Sequence, residues 1–344
     1  MSNGVVHKFE RDQKRIGKYL MGVLGGAYCI PERTFRVRNR GNGKNFRGGF
    51  HLDQVFINDD GAIRTGPRTN ITERAGLALL GEGADGTVYI GHYGSASNDP
   101  VAIKLGNKKS LGVENKIMKH VEKISPHTQH VYIYKDPSQC AEEKAKRKTN
   151  NPLVNSFGKD TAILYSEYAN GGSLNGFIKK YGKALSADHM KSIAFQVLWT
   201  LHAIMAKYPS FRHCDLILDN VFVDNTQSAS GTLKYEPHFE VPQTGMRMVI
   251  GDFANSHIDK VGYRNPTVSR GDYMNTFGIF DGMSAVYDAH LFLTQLDEAV
   301  SGLPAAADFH KFVTDCIPKA YMPTKSGKSA KLHEQRLRPN TSAS

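Results

Sequence analysis

The sequence predicts an α+β protein with two lobes: a small antiparallel β lobe that contains one helix, and a larger, mainly helical lobe. The first observation is a series of short β-branched and aromatic runs over residues 77–168, separated by clusters of turn-forming residues. The second is the helical spacing of apolar residues after residue 169. At 344 residues and 40% hydrophobic composition, the chain can bury two cores, and global disorder is excluded.

The positive charge lies at the two ends of the chain. Residues 1–75 contain 14 Lys and Arg against 7 Asp and Glu, and residues 317–344 contain 6 against 1, whereas the net charge of the whole chain is +11. The intervening body is therefore close to neutral. We expect a basic N-terminal extension at 1–75, the two lobes at 76–168 and 169–316, and a basic C-terminal tail at 317–344.

Arg, Gly and Phe are interleaved within residues 33–50 of the N-terminal extension. Such a segment can hold an anionic backbone through Arg and stack aromatic rings on bases. One interpretation is that residues 33–50 and the C-terminal tail bind nucleic acid or another polyanion. The alternative is a solvated basic arm without such a partner, because basic extensions are common.

The cysteines and the apolar runs indicate a soluble, intracellular and cytoplasmic protein. Four cysteines are scattered without a C-x-x-C pair, which argues for a reducing compartment and against structural zinc. The longest apolar run, Tyr19–Ile30, is broken by glycines, and its 12 residues are fewer than the roughly 18 that span a bilayer. It also lies too deep and is too rich in glycine for a signal peptide.

The β lobe is predicted from its strand patterns, one helix and one charged segment. A short hairpin around an Asp-Gly turn at Val55–Ile63 precedes it. The helix is predicted near Val113–Lys123, and an exposed, charged insertion near 136–151. The strand patterns are Leu77–Leu80, Thr87–Tyr93, Val101–Leu105, His130–Lys135 and Thr161–Tyr168.

The helical lobe is predicted from caps and apolar spacing. Ser173 can cap a short helix that ends near Tyr181, and Ser186 can cap a longer helix that ends before Pro209. A further amphipathic helix follows Asp288. Residues 225–246 are polar and contain two prolines, which indicates an inserted loop.

An acid and an amide lie five positions apart in the segment Phe211–Val223. Asp215 and Asn220 precede a β-branched, aromatic run that predicts a strand, so both belong to a tight loop. A phosphotransferase can mount a base and a metal ligand in this way. The spacing alone is a weak signal, because Asp and Asn are ordinary turn residues.

Three other motifs add chemistry in a fixed order. Gly81, Gly83 and Gly86 form a G-x-G-x-x-G run whose glycines would let backbone amides approach phosphates. The run leads into a strand pattern, whereas a dinucleotide-binding fingerprint opens a helix. Lys104 lies on the next strand, and Glu114 on the following helix could hold it in place.

Asp252 supplies a second carboxylate at the end of an apolar strand. An acid in that position is a plausible Mg²⁺ ligand, since this ion prefers one or two carboxylates together with phosphate oxygens. Each motif alone is ambiguous. Together, in this order, they favour phosphoryl transfer.

The region Leu77–Val300 resembles the eukaryotic-type protein kinase superfamily, as a divergent member similar to Ser/Thr kinases of large DNA viruses. The resemblance implies ATP and Mg²⁺ as cofactors and protein substrates as partners. Lys104, held by Glu114, would contact phosphates, and Asp215 would act as the base. Asn220 and Asp252 would bind Mg²⁺.

The resemblance also implies positions for the nucleotide base. Gly81, Gly83 and Gly86 would cover the phosphates, the backbone of Glu167 and Ala169 would bind the adenine edge, and Ser166 would be the gatekeeper. Asp288 would anchor the catalytic loop. Residues that would enclose the ring are Val88, Ala102 and Phe222, and residues that would stack as an internal spine are Met118, His213 and Phe253.

Four features depart from the family pattern. Ile217 stands where Ser/Thr kinases carry a lysine, and Cys214 stands where they carry an arginine, so we expect no activation by phosphorylation of the activation loop. Ala254 replaces a glycine, and no Ala-Pro-Glu motif occurs between Asp252 and Asp288.

Three functions are compatible with these residues. The first is an ATP-dependent protein kinase with Ser/Thr acceptors favoured. The second is a pseudokinase scaffold whose basic arms bind nucleic acid or another polyanion. The third is a small-molecule kinase of the same fold, against which the complete Gly run and the V-A-I-K strand argue. A viral origin would also allow association with the virion.

Overall fold

The computed structural model describes residues 55–57, 63–65, 78–83, 86–93, 99–147, 158–225, 232–235, 239–259, 263–264, 286–317 and 322. These residues belong to two compact units that meet in the chain after Tyr168. We name them the β unit, before this boundary, and the helical unit, after it. The predicted α+β class with two lobes is confirmed.

The β unit is built on one sheet, in the spatial order β1-β2-β4-β5-β7-β6, with β3 paired to β4. Neighbouring strands are antiparallel except β2 and β4, which are parallel. The strands are β1 (Val55–Ile57), β2 (Ile63–Thr65), β3 (Ala78–Gly83), β4 (Gly86–Tyr93), β5 (Asp99–Asn107), β6 (Val131–Lys135) and β7 (Thr161–Glu167).

The hairpin expected at Val55–Ile63 is present, because β1 and β2 pair with Ile57 opposite Ile63. It also joins the main sheet through β2, although we assigned it to the N-terminal extension. The basic segment 33–50 lies outside the described residues, as does the tail from residue 323.

The sheet has a core face and a second face. Val101, Ile103 and Leu105 of β5 are buried together with residues of β6 and β7 in one apolar cluster. Because side chains alternate along a strand, Ala102 and Lys104 must point to the other face. This alternation places Lys104 away from the main apolar cluster.

Helix α1 (Lys108–Val121) follows β5 and starts earlier than the predicted Val113–Lys123. Asn107 caps it, since the Asn107 side chain accepts a hydrogen bond from the Lys109 backbone N–H at 2.8 Å. One side of the helix is buried through Leu111, Ile117 and Met118. Burial of this side fixes the orientation of the polar residues on the same helix.

The predicted exposed insertion at 136–151 begins with a second helix, α2 (Pro137–Arg147). Asp136 starts it by accepting hydrogen bonds from the backbone N–H groups of Ser138 and Gln139. Cys140 is fully buried in the apolar cluster of the sheet, so the segment is not wholly exposed. Burial of Cys140 therefore packs α2 against the sheet.

The helical unit contains the predicted capped helices. Ser173 caps the first of them, and Ser186 caps the longest. The helices are α3 (Leu174–Tyr181), α4 (Ala187–Lys207), α5 (Tyr287–Val300) and α6 (Ala306–Cys316). Strands form three antiparallel pairs: β8 (Val221–Asp224) with β11 (Arg247–Ile250), β9 (Thr232–Tyr235) with β10 (Phe239–Pro242), and β12 (His257–Ile258) with β13 (Tyr263–Arg264).

The segment 225–246, expected as a loop, instead contains the β9-β10 hairpin. Aromatic side chains attach it to α4: Tyr235 lies 5.0 Å from both Phe195 and Trp199, and Phe239 lies 5.3 Å from Phe195, measured between ring centroids. Contacts between aromatic rings stabilise such an attachment beyond simple burial. The loop expectation was wrong because it weighed only local polarity.

Two further expectations concern cysteines and membrane spans. Cys140, Cys214 and Cys316 are buried, and no disulfide joins any two of these three. Within the described ranges, no helix is both long and apolar enough to cross a bilayer.

Candidate active site

One face of the sheet in the β unit collects the predicted nucleotide residues. Val88 lies opposite Lys104 across β4 and β5, and Ala102 lies opposite Ser166 across β5 and β7. Cross-strand partners share a face. The face opposite the apolar cluster therefore carries Val88, Ala102, Lys104 and Ser166 together.

Lys104 and Glu114 form a buried ion pair on this face. The distance from Lys104 Nζ to Glu114 Oε2 is 2.9 Å, and the side chains are 11% and 2% exposed. Removing two charges from water is costly, and a buried pair often stabilises a fold no better than apolar residues of similar volume. The buried ion pair is therefore better explained by a functional role than by a contribution to the stability of the fold.

The glycine run forms the turn between β3 and β4, with Gly83 opposite Gly86. Gly86 has a φ of +141°, and a Cβ at this position would overlap the carbonyl oxygen of Leu105 in β5. Only glycine fits there. Beside Gly81 and Gly83, by contrast, no described atom lies within 4 Å of a built Cβ. The space on the side-chain side of these two glycines is therefore open among the described atoms, while residues 84 and 85 lie outside the described part.

The end of β7 is held by the residues that precede β6. The Glu167 backbone N–H donates to the His130 carbonyl at 2.9 Å, and the Glu167 carbonyl accepts from Gln129 Nε2 at 2.9 Å. The His130 N–H donates to the Glu167 carboxylate at 3.3 Å. These bonds orient the carbonyl that the family resemblance assigns to the adenine edge. Gln129 gave no signal in the sequence.

A second carboxylate fixes the start of β6. Glu122 accepts from the Val131 N–H at 3.1 Å and from His130 Nδ1 at 2.8 Å. Burial raises the pKa of Glu122. The hydrogen bond and the charge of His130, together with the hydrogen bond from the Val131 N–H, outweigh this effect, so the pKa lies below its ordinary value. The Glu122 carboxylate is therefore charged, and it fixes His130 and Val131 in the segment that also contains Gln129.

In the helical unit, Asp215 and Asn220 contact each other. Asn220 Nδ2 donates to the Asp215 carbonyl at 2.8 Å and to Asp215 Oδ2 at 3.2 Å. The loop is closed further by the Ile217 N–H, which donates to the Asp215 carbonyl at 2.8 Å. A one-turn 3₁₀ helix, Leu218–Asn220, then leads into β8. The amide thus orients the carboxylate that we predicted as the base.

Pairing of β8 with β11 brings the predicted metal residues to one end of a two-stranded sheet. Val221 lies opposite Ile250, and the Gly251 N–H donates to the Asn220 carbonyl at 3.0 Å. Asp252 follows directly and has left-handed backbone angles, φ 55° and ψ 64°. Such a conformation is unfavourable for a non-glycine residue and is common at functional sites. The Asp252 carboxylate does not cap the turn that follows it.

Asp288 anchors the loop that carries Asp215, as predicted. Its two carboxylate oxygens accept the His213 N–H at 2.7 Å and the Cys214 N–H at 2.9 Å. Cys214 has a φ of +67°, which helps successive N–H groups to converge on one anion. Burial raises the pKa of Asp288, while the charges of His213 and Arg212 and the two N–H donors oppose this rise.

His213 joins the loop to the strand end that carries Asp252. Its Nε2 lies 3.0 Å from the Gly251 carbonyl, and its ring centroid lies 5.0 Å from that of Phe253. The Ser256 hydroxyl donates to the His213 carbonyl at 3.2 Å. Two of the predicted spine residues are therefore in contact, and the third, Met118, is fully buried in the β unit.

The other nucleotide residues of the helical unit are Ala169 and Phe222. Ala169 is buried, and its carbonyl accepts from the Gly172 N–H at 3.1 Å. Phe222 is half-buried in β8, where it forms an isolated bridge with Ser173.

Two side chains that support the loop had no signal in the sequence. The Leu218 N–H donates to Gln295 Oε1 of α5 at 3.1 Å. Asp219 accepts from the Ser173 hydroxyl at 3.0 Å and from Asn175 Nδ2 at 2.9 Å, which ties the loop to the start of α3. Two residues that depart from the family pattern also lie in this loop. Cys214 is buried, and Ile217 is half-buried at the start of the 3₁₀ turn.

The donors present fit a nucleotide triphosphate and Mg²⁺. Among the described residues, no group of three or more His, Cys, Asp and Glu surrounds a potential metal position. Mg²⁺ does not require one, because it is commonly bound by one or two carboxylates together with phosphate oxygens. Within the helical unit, the Asp252 carboxylate and the amide oxygen of Asn220 are the predicted ligands of this kind. Within the β unit, the ammonium of Lys104 suits an anionic phosphate chain.

Comparisons with known proteins agree with this geometry. Residues 75–235 match the family model of the protein kinase domain. A protein of Acanthamoeba polyphaga mimivirus, named "Putative serine/threonine-protein kinase R400", is 31% identical over 147 residues, which are 41% of this chain. The matched part spans 31% of the length of that relative.

Proposed function

We propose, on the premise that residues 75–235 carry a divergent protein kinase domain of the eukaryotic type, that this chain is an ATP-dependent protein kinase. It would transfer the γ-phosphate to protein hydroxyls, with Ser and Thr favoured. The observation that carries the proposal is the buried ion pair between Lys104 and Glu114, on the sheet face that also bears Val88 and Ala102. A fold does not need such a pair, whereas an ammonium held in place by a carboxylate is suited to binding phosphate.

Lys104 would neutralise charge on the α- and β-phosphates. Glu114 fixes the ammonium at 2.9 Å, so no reorganisation is needed when the phosphates bind. Both side chains are largely removed from water, which strengthens their electrostatic effect. Gly81 and Gly83 would bring backbone amides to the same phosphates.

Asp215 would accept the proton of the substrate hydroxyl while that oxygen forms its bond to the γ-phosphorus and the bond to the β–γ bridging oxygen breaks. The contact with Asn220 Nδ2 at 3.2 Å orients the Asp215 carboxylate for this role. General-base positioning contributes typically 10²- to 10⁴-fold to a rate, so about this loss is expected without it.

Asn220 and Asp252 would hold Mg²⁺. The β8-β11 pairing and the Gly251 N–H bond to Asn220 keep both residues at the same strand ends. When bound, the metal would neutralise phosphate charge that develops during transfer. Asp252 has a left-handed backbone conformation and makes no side-chain cap to the turn that it begins.

The second candidate is a pseudokinase scaffold, and one observation favours it. Ile217 and Cys214 stand where positive charge is usual in the family, and Cys214 is only 3% exposed. Neither residue can neutralise a phosphate. The basic segments 33–50 and 317–344 would then supply the function by binding nucleic acid or another polyanion.

Phosphate transfer from labelled ATP separates the two candidates. Wild type is compared with Asp215→Ala and Lys104→Met, on acidic, basic and neutral protein substrates. Lys119→Met, an exposed position on α1, is the matched control. The kinase proposal requires transfer by wild type and by the control at least about 100-fold above both variants. Equal transfer by all four proteins would refute the kinase proposal and favour the pseudokinase scaffold.

The basic arms have a separate test. Binding of a single-stranded oligonucleotide is measured against salt concentration for the full chain and for a chain that begins at His51, which keeps strands β1 and β2 of the sheet. If the arm binds the polyanion, the shortened chain shows a shallower salt dependence. An unchanged slope would refute the role of the arm.

A further inference from the structure

A groove of about 620 Å³ lies in the helical unit, between the end of α3 and the end of α5. We name it the lysine groove. Its apolar lining comes from Ile178, Ala299 and Leu303, and Lys179, Lys180 and Lys183 surround this lining. None of these residues belongs to the site described above.

The charge of the lysine groove has one sign. Its three lysines are exposed, and none of the described residues that line it is Asp or Glu. Glu298, next to Ala299 in the chain, is exposed but does not line the groove. A concave surface that carries only positive charge attracts and retains an anionic partner.

An exposed aromatic ring borders the lysine groove. Tyr181 is 42% exposed, which is unusual for a large apolar side chain in the described part of this unit. The Lys180 ammonium lies 4.9 Å from the Tyr181 ring centroid. Tyrosine is enriched at surfaces that bind another chain.

One side chain connects the lysine groove to the loop of Asp215. Asn175 lines the groove, and its Nδ2 donates to Asp219 Oδ2 at 2.9 Å. Asp219 directly precedes Asn220. A segment bound in the groove would therefore reach the loop on which the proposed base is mounted.

We propose that the lysine groove binds an acidic segment of the protein substrate, in which an apolar side chain is flanked by carboxylates. This inference rests on the proposed kinase function and names the class of substrate. The apolar residue would occupy the space between Ile178 and Leu303, and the carboxylates would pair with the three lysines. Docking there would hold the acceptor hydroxyl near Asp215.

Two features favour a peptide over a nucleic acid as the occupant. The apolar lining suits an aliphatic or aromatic side chain, whereas a sugar-phosphate backbone gains little from it. At the Asn175 end, the groove meets the carboxylate of Asp219, which would repel a continuous phosphate chain. A short acidic segment can end before this point.

Binding is measured first, without ATP, with the full chain. The probes are a fluorescent peptide that contains one Leu among Asp and Glu residues, the same peptide with Lys in place of the acids, and a single-stranded oligonucleotide. The groove variant combines Lys179→Glu, Lys180→Glu and Lys183→Glu. The control variant carries the same charge change at exposed positions outside the groove: Lys191→Glu, Lys207→Glu and Lys234→Glu.

We expect the acidic peptide to bind wild type and the control variant with the same affinity. It should bind the groove variant roughly tenfold more weakly, because several exposed charge pairs between lysine and carboxylate become repulsive. If the groove variant does not fold, the three Lys→Gln substitutions replace it. Binding that is equal in groove and control variants would overturn the proposal. So would tighter binding of the oligonucleotide at the groove, or no binding of the acidic peptide to wild type.

Transfer is measured second, on a Ser-containing substrate with and without the acidic segment. In the groove variant, KM for the tailed substrate should rise roughly tenfold while kcat stays the same, and the untailed substrate should be unaffected. A KM that does not respond to the segment would overturn the inference. Absence of transfer to every substrate would refute the kinase function instead, and the binding result would still stand.

Discussion

Replacing Asp288 by Asn should detach the loop that carries Asp215 from helix α5. The carboxylate accepts the His213 and Cys214 N–H groups at 2.7 and 2.9 Å, and Asp288 is 3% exposed. Asn keeps one acceptor oxygen and turns an NH₂ group toward the other N–H. One buried N–H is then left without an acceptor, and a hydrogen bond to a charged group is lost.

The magnitude follows from these two bonds. A hydrogen bond to a charged group contributes about 1.5–3 kcal/mol, and an unsatisfied buried donor costs about 1–3 kcal/mol. We expect Asp288→Asn to lower the free energy of unfolding by about 2–4 kcal/mol. It should also lower kcat by roughly 10- to 100-fold, because the loop no longer holds Asp215 in place.

The assay is urea unfolding followed by the fluorescence of Trp199, the single tryptophan, which lies in α4 of the same unit. Asp308→Asn, at an exposed position in α6, is the matched control and should change the free energy by less than about 0.5 kcal/mol. The reasoning is refuted if Asp288→Asn is as stable as this control, since the two N–H bonds would then carry no net energy.

Three further predictions concern the β unit. Gly86→Ala should lower its thermal midpoint by several degrees and weaken ATP binding, because the new Cβ meets the Leu105 carbonyl; unchanged calorimetry would contradict this. Glu122→Ala should lower the thermal midpoint at neutral pH. The pKa of Glu122 is lowered in the folded state, so its contribution to the free energy of unfolding is present at pH values above the ordinary pKa of 4.5. This contribution is lost as the pH falls below 4.5. The difference between wild type and this variant should therefore shrink as pH falls below 4.5, and a constant difference would refute the assignment. Gln129→Leu should raise KM for ATP about three- to tenfold with kcat unchanged, because the Glu167 carbonyl loses the amide that orients it, whereas an unaltered KM would exclude that role.

The sequence allowed prediction of what depends on local residues. Ser173 and Ser186 mark helix starts because a cap needs only its own hydroxyl and the next turn. The pairing of Lys104 with Glu114 was predictable from the family resemblance, and the structure places the two side chains in contact. Asp288 was predictable in the same way.

Other elements depend on contacts that are distant along the chain. The β9-β10 hairpin is held by Tyr235 and Phe239 against Phe195, forty residues before Tyr235, and no local pattern reveals this packing. Helix α2 contributes Cys140 to the apolar cluster of the sheet from within a charged sequence.

The supporting residues of the candidate site were missed for the same reason. Gln129 reaches the backbone of Glu167 across 38 positions, and Gln295 reaches that of Leu218 across 77. A side chain that binds a remote backbone group leaves no periodic or spacing signal. Such residues are found only once the fold has brought the segments together.

The most direct test of the kinase proposal is the rate of phosphate transfer by Asp215→Asn, measured under saturating ATP beside wild type and Asp308→Asn. The substitution preserves the volume of the side chain and removes the proton acceptor. The proposal predicts that wild type and Asp308→Asn transfer phosphate at similar rates and that Asp215→Asn is at least about 100-fold slower. Transfer by Asp215→Asn at the wild-type rate would contradict the assignment of this loop as catalytic.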